Sequence, residues 1–266
     1  MKRGMKSVFA AVFGVLLAAS LSAQELTAYE IIKCSDEVPT ADTSSYKATM
    51  TLTNKKGQKR VREVLMRSKD FGDVKKTVIV FTTPKDVAGV GYLMFEYDKK
   101  PDGTTPESDN WLYMPAMKKV RRISGAGKAD DFMGTDFTYE DMGDRDIDKD
   151  SYTLLGSESI EGNECWKIEC LAKDTTEKNP RRVVWIRKDN YMLQQGEFYD
   201  RQNNLQRTLT CSGIHLQDGF WTTDTMLMKN VLTNHSTVLE MKDVKYNLAI
   251  DDKLLTVSAL ERGIVR

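Results

Sequence analysis

From Ser45 onward the chain is a succession of short segments of alternating character, punctuated by turn residues, and few folds accept that pattern. Tyr46, Ala48, Met50 and Leu52 alternate with Lys47, Thr49, Thr51 and Thr53, and Asn54-Lys55-Lys56-Gly57 makes a turn. Strands are expected next at Arg60–Arg67, Thr77–Phe81, Gly91–Asp98, Asn110–Met114 and Lys118–Ser124. The habit resumes at Tyr152–Ser157, Asn163–Lys173, Arg181–Lys188, Met192–Asp200, Leu205–Leu216, Trp221–Asn230 and Thr237–Leu248. The separators are mostly two to four residues rich in Gly, Asn, Asp and Pro. Such short connections force antiparallel neighbours, because a parallel crossover needs a dozen or more residues. A meander of about a dozen strands must close, curl or split into two sheets.

One connection breaks the rule. Between Ser124 and Lys149 the sequence is neither a good strand nor a good helix, and long loops in compact domains are usually functional. Four basic residues, Lys118, Lys119, Arg121 and Arg122, precede it. Phe132, Met133, Phe137 and Tyr139 then alternate with Asp130, Asp131, Asp136, Glu140 and Asp141. Gly125, Gly127 and Gly134 supply hinges. Apolar side chains in such a loop are expected to fold over an open sheet face, either as a moving lid or as a fixed plug. The acidic residues are expected to face water.

Ahead of the strands, Lys2, Arg3 and Lys6 precede an apolar run from Val8 to Ala19 and small residues up to Ala23. This is the pattern of a secretory signal peptide over residues 1–23, too short for an ordinary membrane span. Residues 24–266 are then expected to form one exported, soluble domain. No Cys lies near the expected cleavage point, so a lipid-modified N-terminus is not expected. Thr27-x-x-Glu30 reads as a capping box opening a helix from Leu26 to about Val38. Four cysteines, Cys34, Cys165, Cys170 and Cys211, allow three complete pairings or buried free thiols. Cys165 and Cys170 fall on opposite faces of one strand and are not expected to pair.

Several function classes drop out. Lys and Arg balance Asp and Glu at 39 each, which argues against nucleic acid as the main partner. No HExxH, paired CxxC, GxSxG or P-loop occurs, and the only two histidines, His215 and His235, read as structural. Asp144-x-Asp146-x-Asp148 resembles the start of a calcium loop, but Lys149 and Leu155 replace the required Gly and Glu, so a solvated acidic turn is the better reading. No cofactor, metal or catalytic group is expected.

The positive signal is the apolar content of the strand faces. Thirteen Met is high, and Met suits a surface that holds variable apolar ligands. A sheet of about a dozen strands is too wide for its own side chains to fill, so helices or a ligand must occupy the inside. Taking the more apolar alternation of each strand gives an expected lining of Met50, Leu52, Leu65, Phe81, Phe95, Trp111, Tyr113, Trp185, Met226 and Met228. Phe132, Met133 and Phe137 complete it from the loop. Arg121 and Arg122, beside the loop, are candidates to hold an anionic headgroup or to pair with Asp130 or Asp131.

The run WLYMPAMKKVRRIS (Trp111 to Ser124), followed by DDFMGTDFTYEDM (Asp130 to Met142), resembles the signature of the outer-membrane lipoprotein-sorting family, the LolA-like periplasmic carriers. The resemblance covers nearly the whole mature chain. It implies a mainly β fold: an incomplete antiparallel β-barrel of about eleven strands, LolA/LolB-like, with helices and a loop on its concave face. It implies a non-enzymatic periplasmic carrier that hides acyl chains of lipoproteins or lipids in a hydrophobic cavity. The partners implied are an acylated lipoprotein or lipid, an inner-membrane transporter of ABC or RND/MMPL type, and an outer-membrane acceptor. Two other classes are weighed against it. An esterase lacks a nucleophile elbow and a His partner for any Ser. A non-catalytic adaptor of an RND/MMPL-type exporter has the same sequence features, with its cavity filled by its own side chains.

Overall fold

The computed structural model describes residues 25–263, so the expected signal peptide lies outside the described residues. The first element is helix α1 (Ala28–Asp36). Thr27 caps it as the sequence predicts, its hydroxyl accepting from the Glu30 N–H while the Glu30 carboxylate accepts from the Thr27 N–H at 2.7 Å.

Thirteen strands follow: β1 (Thr43–Thr53), β2 (Lys59–Asp70), β3 (Val74–Thr83), β4 (Gly91–Tyr97), β5 (Asp109–Met114), β6 (Lys119–Ile123), β7 (Asp150–Ile160), β8 (Asn163–Ala172), β9 (Arg181–Arg187), β10 (Leu193–Tyr199), β11 (Leu205–Gln217), β12 (Phe220–Asn230) and β13 (His235–Tyr246). They form one antiparallel sheet ordered β6-β5-β4-β3-β2-β1-β13-β12-β11-β10-β9-β8-β7. Every neighbour but one is a sequence neighbour, and the exception, β1 on β13, joins the two halves of the chain. The sheet stays open: β6 and β7 pair on one side only. The count is thirteen, two more than the lipoprotein-sorting resemblance implies.

This order explains the long connection. Segment 124–149 leaves the sheet at one edge, β6, and re-enters at the other, β7. Twelve inter-strand spacings separate those edges, roughly 58 Å along the sheet. The chain takes the shorter route across the hollow of the curled sheet and becomes a strap over its concave face.

Cross-strand partners share a face, so the register sorts side chains by side. Ala48, Met50, Leu52, Val64, Ile79, Phe81, Tyr92, Met94, Leu112 and Ile123 pack together on the concave side with Phe132 and Tyr139 of the strap. Met228, Leu209 and Cys211 continue that side around Phe137. Further along, Ile168, Cys170 and Ile186 meet Ala28 and Ile31 of α1. The outer face of β3–β6 is covered by the C-terminal segment, where helix α2 (Val257–Glu261) sets Ala259 and Leu260 against Val78, Val80 and Leu93. All four cysteines are free. Cys165 packs with Trp185 on the outer face and Cys170 with α1 on the inner, as their spacing predicts. Burial pushes the thiols of Cys170 and Cys211 up to about 12, which leaves them poor nucleophiles.

Candidate functional site: a methionine-lined cavity under a strap

The strap is built around a small hairpin. The Phe132 N–H donates to the Phe137 carbonyl at 2.7 Å, and the Tyr139 N–H donates to the Asp130 carbonyl at 3.1 Å. Met133 (φ 51°) and Gly134 (φ 75°) make its left-handed tip, which explains a glycine there. Phe132 is fully buried, with its ring 5.9 Å from Phe81, 5.3 Å from Tyr92 and 5.3 Å from Tyr139.

Polar anchors pin the hairpin to the sheet. The Asp136 carboxylate accepts from the Thr237 hydroxyl at 2.7 Å and lies 2.7 Å from His235 Nδ1. Arg207, only 4% exposed, donates to the Asp136 carbonyl at 3.0 Å, to Asn179 Oδ1 at 2.8 Å and to the Asp141 carboxylate. Arg62 donates to the Met133 carbonyl at 2.6 Å. The sequence expectation that the acidic residues of this loop face water is therefore corrected at Asp136 and Asp141, which turn inward to bind donors. At the far end Arg145 grips the buried Asp150 carboxylate through two hydrogen bonds of 2.8 and 2.6 Å, and Arg182 adds a third. With these hydrogen bonds along the strap and an aromatic cluster beneath it, residues 130–141 occupy the concave face as a plug.

The plug fills one end of the concave face. Beside it remains a cavity of about 380 Å³, within the usual range for ligand pockets of roughly 300–1,000 Å³. Its walls carry Met50, Met66, Met94, Met142, Met226 and Met241 with Tyr46, Ala48, Ile79, Phe137 and Leu239, and Phe220, Trp221 and Tyr246 also line it. Next to it lies a polar cleft of about 610 Å³ between α1, the β4–β5 connection and residues 139–149. Lys75, Met94, Glu96, Gly143 and Asp144 border both spaces.

Glu96 and Lys75 meet on this border. Lys75 Nζ is 2.9 Å from the Asp144 carboxylate, and the Asp144 N–H donates to Glu96 at 2.6 Å. Burial first, and the Asp144 charge second, push the Glu96 carboxyl up to about 7, against the pull of that hydrogen bond and of Lys75. A carboxyl raised in the fold is costly only when ionised. The cost is absent below its ordinary value of 4.5 and complete above about 7. Glu96→Gln keeps the acceptor for the Asp144 N–H. It should leave stability unchanged near pH 4 and raise it by roughly 1–2 kcal/mol near pH 8 in urea unfolding. An equal effect at both pH values would contradict the assignment.

Of the residues expected to line a cavity, Met50, Leu52, Phe81, Phe132, Met133, Phe137, Met226 and Met228 lie on the concave side. Met50, Phe137 and Met226 border the cavity itself. Five others are corrected. Leu65 pairs with Val80 and faces outward with it. Phe95, Trp111 and Tyr113 pack with the C-terminal segment on the outer face. Trp185 also faces outward, donating to Glu158 at 3.0 Å. The strands around β4 are apolar on both faces because both are covered, so the greasier alternation there was the wrong guide. Arg121 and Arg122 separate as well. Arg121 shares the Leu112 side, whereas Arg122 shares the Trp111 side and pairs with Asp109. Asp131 takes Lys178 as its partner at 3.1 Å. Sequence reading missed Tyr46, Met66, Leu239 and Met241 from the lining, although all follow the alternation of strands it had already found. It also missed Arg207, Asp136 and Thr237, for which no sequence signal exists.

An open antiparallel sheet curled around an apolar cavity, with an α-helix and a strap on its concave face, defines the LolA-like half-barrel class. The comparisons agree. A family model described as "Uncharacterized protein" matches residues 73–262. A DUF1329 family protein from Desulfovibrio piger is 31% identical over 88% of this chain and 97% of its own, with a TM-score of 0.81. A protein from Vibrio parahaemolyticus, described as an outer membrane lipoprotein-sorting protein domain, is 30% identical over 88% of this chain and 98% of its own, with a TM-score of 0.80. A LolA superfamily protein from Nitrosomonas europaea shares the fold at 18% identity and a TM-score of 0.66, covering 88% of this chain and all (100%) of its own. No curated protein matches the chain. The chain belongs to the family of outer-membrane lipoprotein-sorting (DUF1329) proteins.

Proposed function

We propose that this chain is a periplasmic carrier that holds an acyl chain of a lipoprotein or lipid in the methionine-lined cavity and moves it between membranes. The observation that carries this reading is the cavity: about 380 Å³ of largely apolar space left open beside a plug that fills one end of the concave face. Burying a 16-carbon chain is worth roughly 12 kcal/mol at about 0.8 kcal/mol per CH₂, so its free diffusion through water is negligible. A carrier needs a dry but weakly specific slot, and six unbranched, adaptable Met side chains fit that need. The amino-terminal export pattern supports a periplasmic site of action, after cleavage near residue 23. An inner-membrane transporter would load the carrier and an outer-membrane acceptor would unload it. A non-catalytic adaptor of an RND/MMPL-type exporter is the second reading, favoured by the anchored plug.

Trp221 offers a direct test. It lines the cavity, whereas Trp111 and Trp185 face the outer side and Trp166 packs near α1. A spin-labelled fatty acid should quench the emission with one-to-one stoichiometry, and Trp221→Phe should remove most of the quenching. Quenching that is absent, or unchanged in the variant, would favour the adaptor.

A further inference from the structure

The chain has no net formal charge, yet its charge is not evenly spread. The β1–β2 and β12–β13 hairpins lie side by side because β1 pairs with β13, with Thr53 opposite Ser236. Lys59, Thr53, Ser236 and Lys229 form one row across four strands. Three spacings put the backbones of Lys59 and Lys229 about 14 Å apart. Lys55, Lys56 and Arg60 complete a group of five exposed cations. Among the described residues no carboxylate pairs with any of them. At the other end of the sheet cations and carboxylates are mixed, with Asp98 and Asp102 flanking Lys99 and Lys100 after β4, Asp73 after β2 and Asp218 after β11.

Apolar side chains stand among these cations. Leu232 is 59% exposed, Val61 51% and Val231 37%. Leu232 is held there by its backbone: Asn230 Oδ1 accepts from the N–H groups of Leu232 and Thr233, both at 3.1 Å. The neighbouring turn is equally fixed, with Asn54 Oδ1 accepting from Lys56 at 2.9 Å and Gln58 at 3.0 Å. The β12–β13 turn thus presents Val231 and Leu232 to solvent, and strand β2 presents Val61, beside the unpaired cations of the β1–β2 turn.

We propose that this double-hairpin tip is a docking surface for an anionic phospholipid membrane. The cations match the charge of the lipid headgroups, and Leu232 and Val231 enter the headgroup layer where water would otherwise meet them. A bare polyanion matches the charge but leaves the apolar pair without a purpose. The tip lies at the opposite end of β12 from the cavity rim at Phe220 and Trp221, and docking does not depend on what the cavity holds.

Co-sedimentation of the mature chain with vesicles tests this. Phosphatidylcholine vesicles containing phosphatidylglycerol should bind it, and pure phosphatidylcholine vesicles should not. The variant K55Q/K56Q/K59Q/R60Q should weaken binding on the order of 1,000-fold, at about 1 kcal/mol per cation. Leu232→Ser with Val231→Ser should weaken it about tenfold with all charges present. Lys99→Gln with Lys100→Gln, at the other end of the sheet, should change nothing. All these side chains are exposed, so the variants should unfold at the wild-type temperature. Failure of the wild type to bind phosphatidylglycerol vesicles would overturn the proposal. So would binding indifferent to Leu232 and Val231 and matched on heparin, which would mark a site for polyanions instead.

Discussion

Arg207→Ala is expected to destabilise the protein by roughly 3–5 kcal/mol, the range for removing one partner of a buried ion pair. The guanidinium lies above the Phe198 ring, 4.7 Å from its centroid, and holds Asp136, Asp141 and Asn179 together. Without it the Asp141 carboxylate keeps only the Thr138 N–H among these partners, at 2.7 Å. Asn179 loses its acceptor role, and the strap loses its tie to β11. Urea unfolding followed by tryptophan emission measures the loss. Arg207→Met, which restores much of the apolar bulk, should recover little, because the buried acceptors stay unpaired. A cost under about 1 kcal/mol would mean that the anchor is idle.

The second large effect concerns the cavity. Ala48 sits on its floor between Met50, Val64 and Met241, with its Cβ facing the empty space. Ala48→Trp should fill that space from below. Overpacking costs typically 1–3 kcal/mol where there is no room, and here there is room, so stability should change little. Acyl binding, read by displacement of a fluorescent fatty acid, should fall at least tenfold, the equivalent of about 1.4 kcal/mol. Phe95→Leu on the outer face removes apolar surface yet should leave affinity untouched. Binding that survives Ala48→Trp would place the ligand elsewhere.

The sheet was legible because its punctuation was. Turns such as Asn54-Lys55-Lys56-Gly57 and Gln217-Asp218-Gly219 carry their own chemistry, and Gly57, Asp218 and Gly219 do adopt positive φ. Each of the thirteen expected segments overlaps an observed strand. The long connection was legible for the same reason, as the one place where punctuation fails. Its anchors were not. Arg207 lies in the run Gln206-Arg207-Thr208, where a charged side chain looks solvent-facing, and only the tertiary arrival of Asp136 and Asp141 makes burial affordable there. The face of β4 was illegible too. Tyr92, Leu93 and Met94 are all buried, since the strap covers one side and α2 the other. A strand buried on both faces loses its alternation, and with it the signal that would place Phe95 outside.

The central claim is that the concave cavity carries an acyl chain. The most direct measurement is native mass spectrometry of residues 24–266, exported and recovered without detergent, before and after mixing with a 16-carbon fatty acid. One bound acylated molecule per chain is expected in at least the mixed sample, and none with Ala48→Trp. An apo mass in both wild-type samples would contradict it.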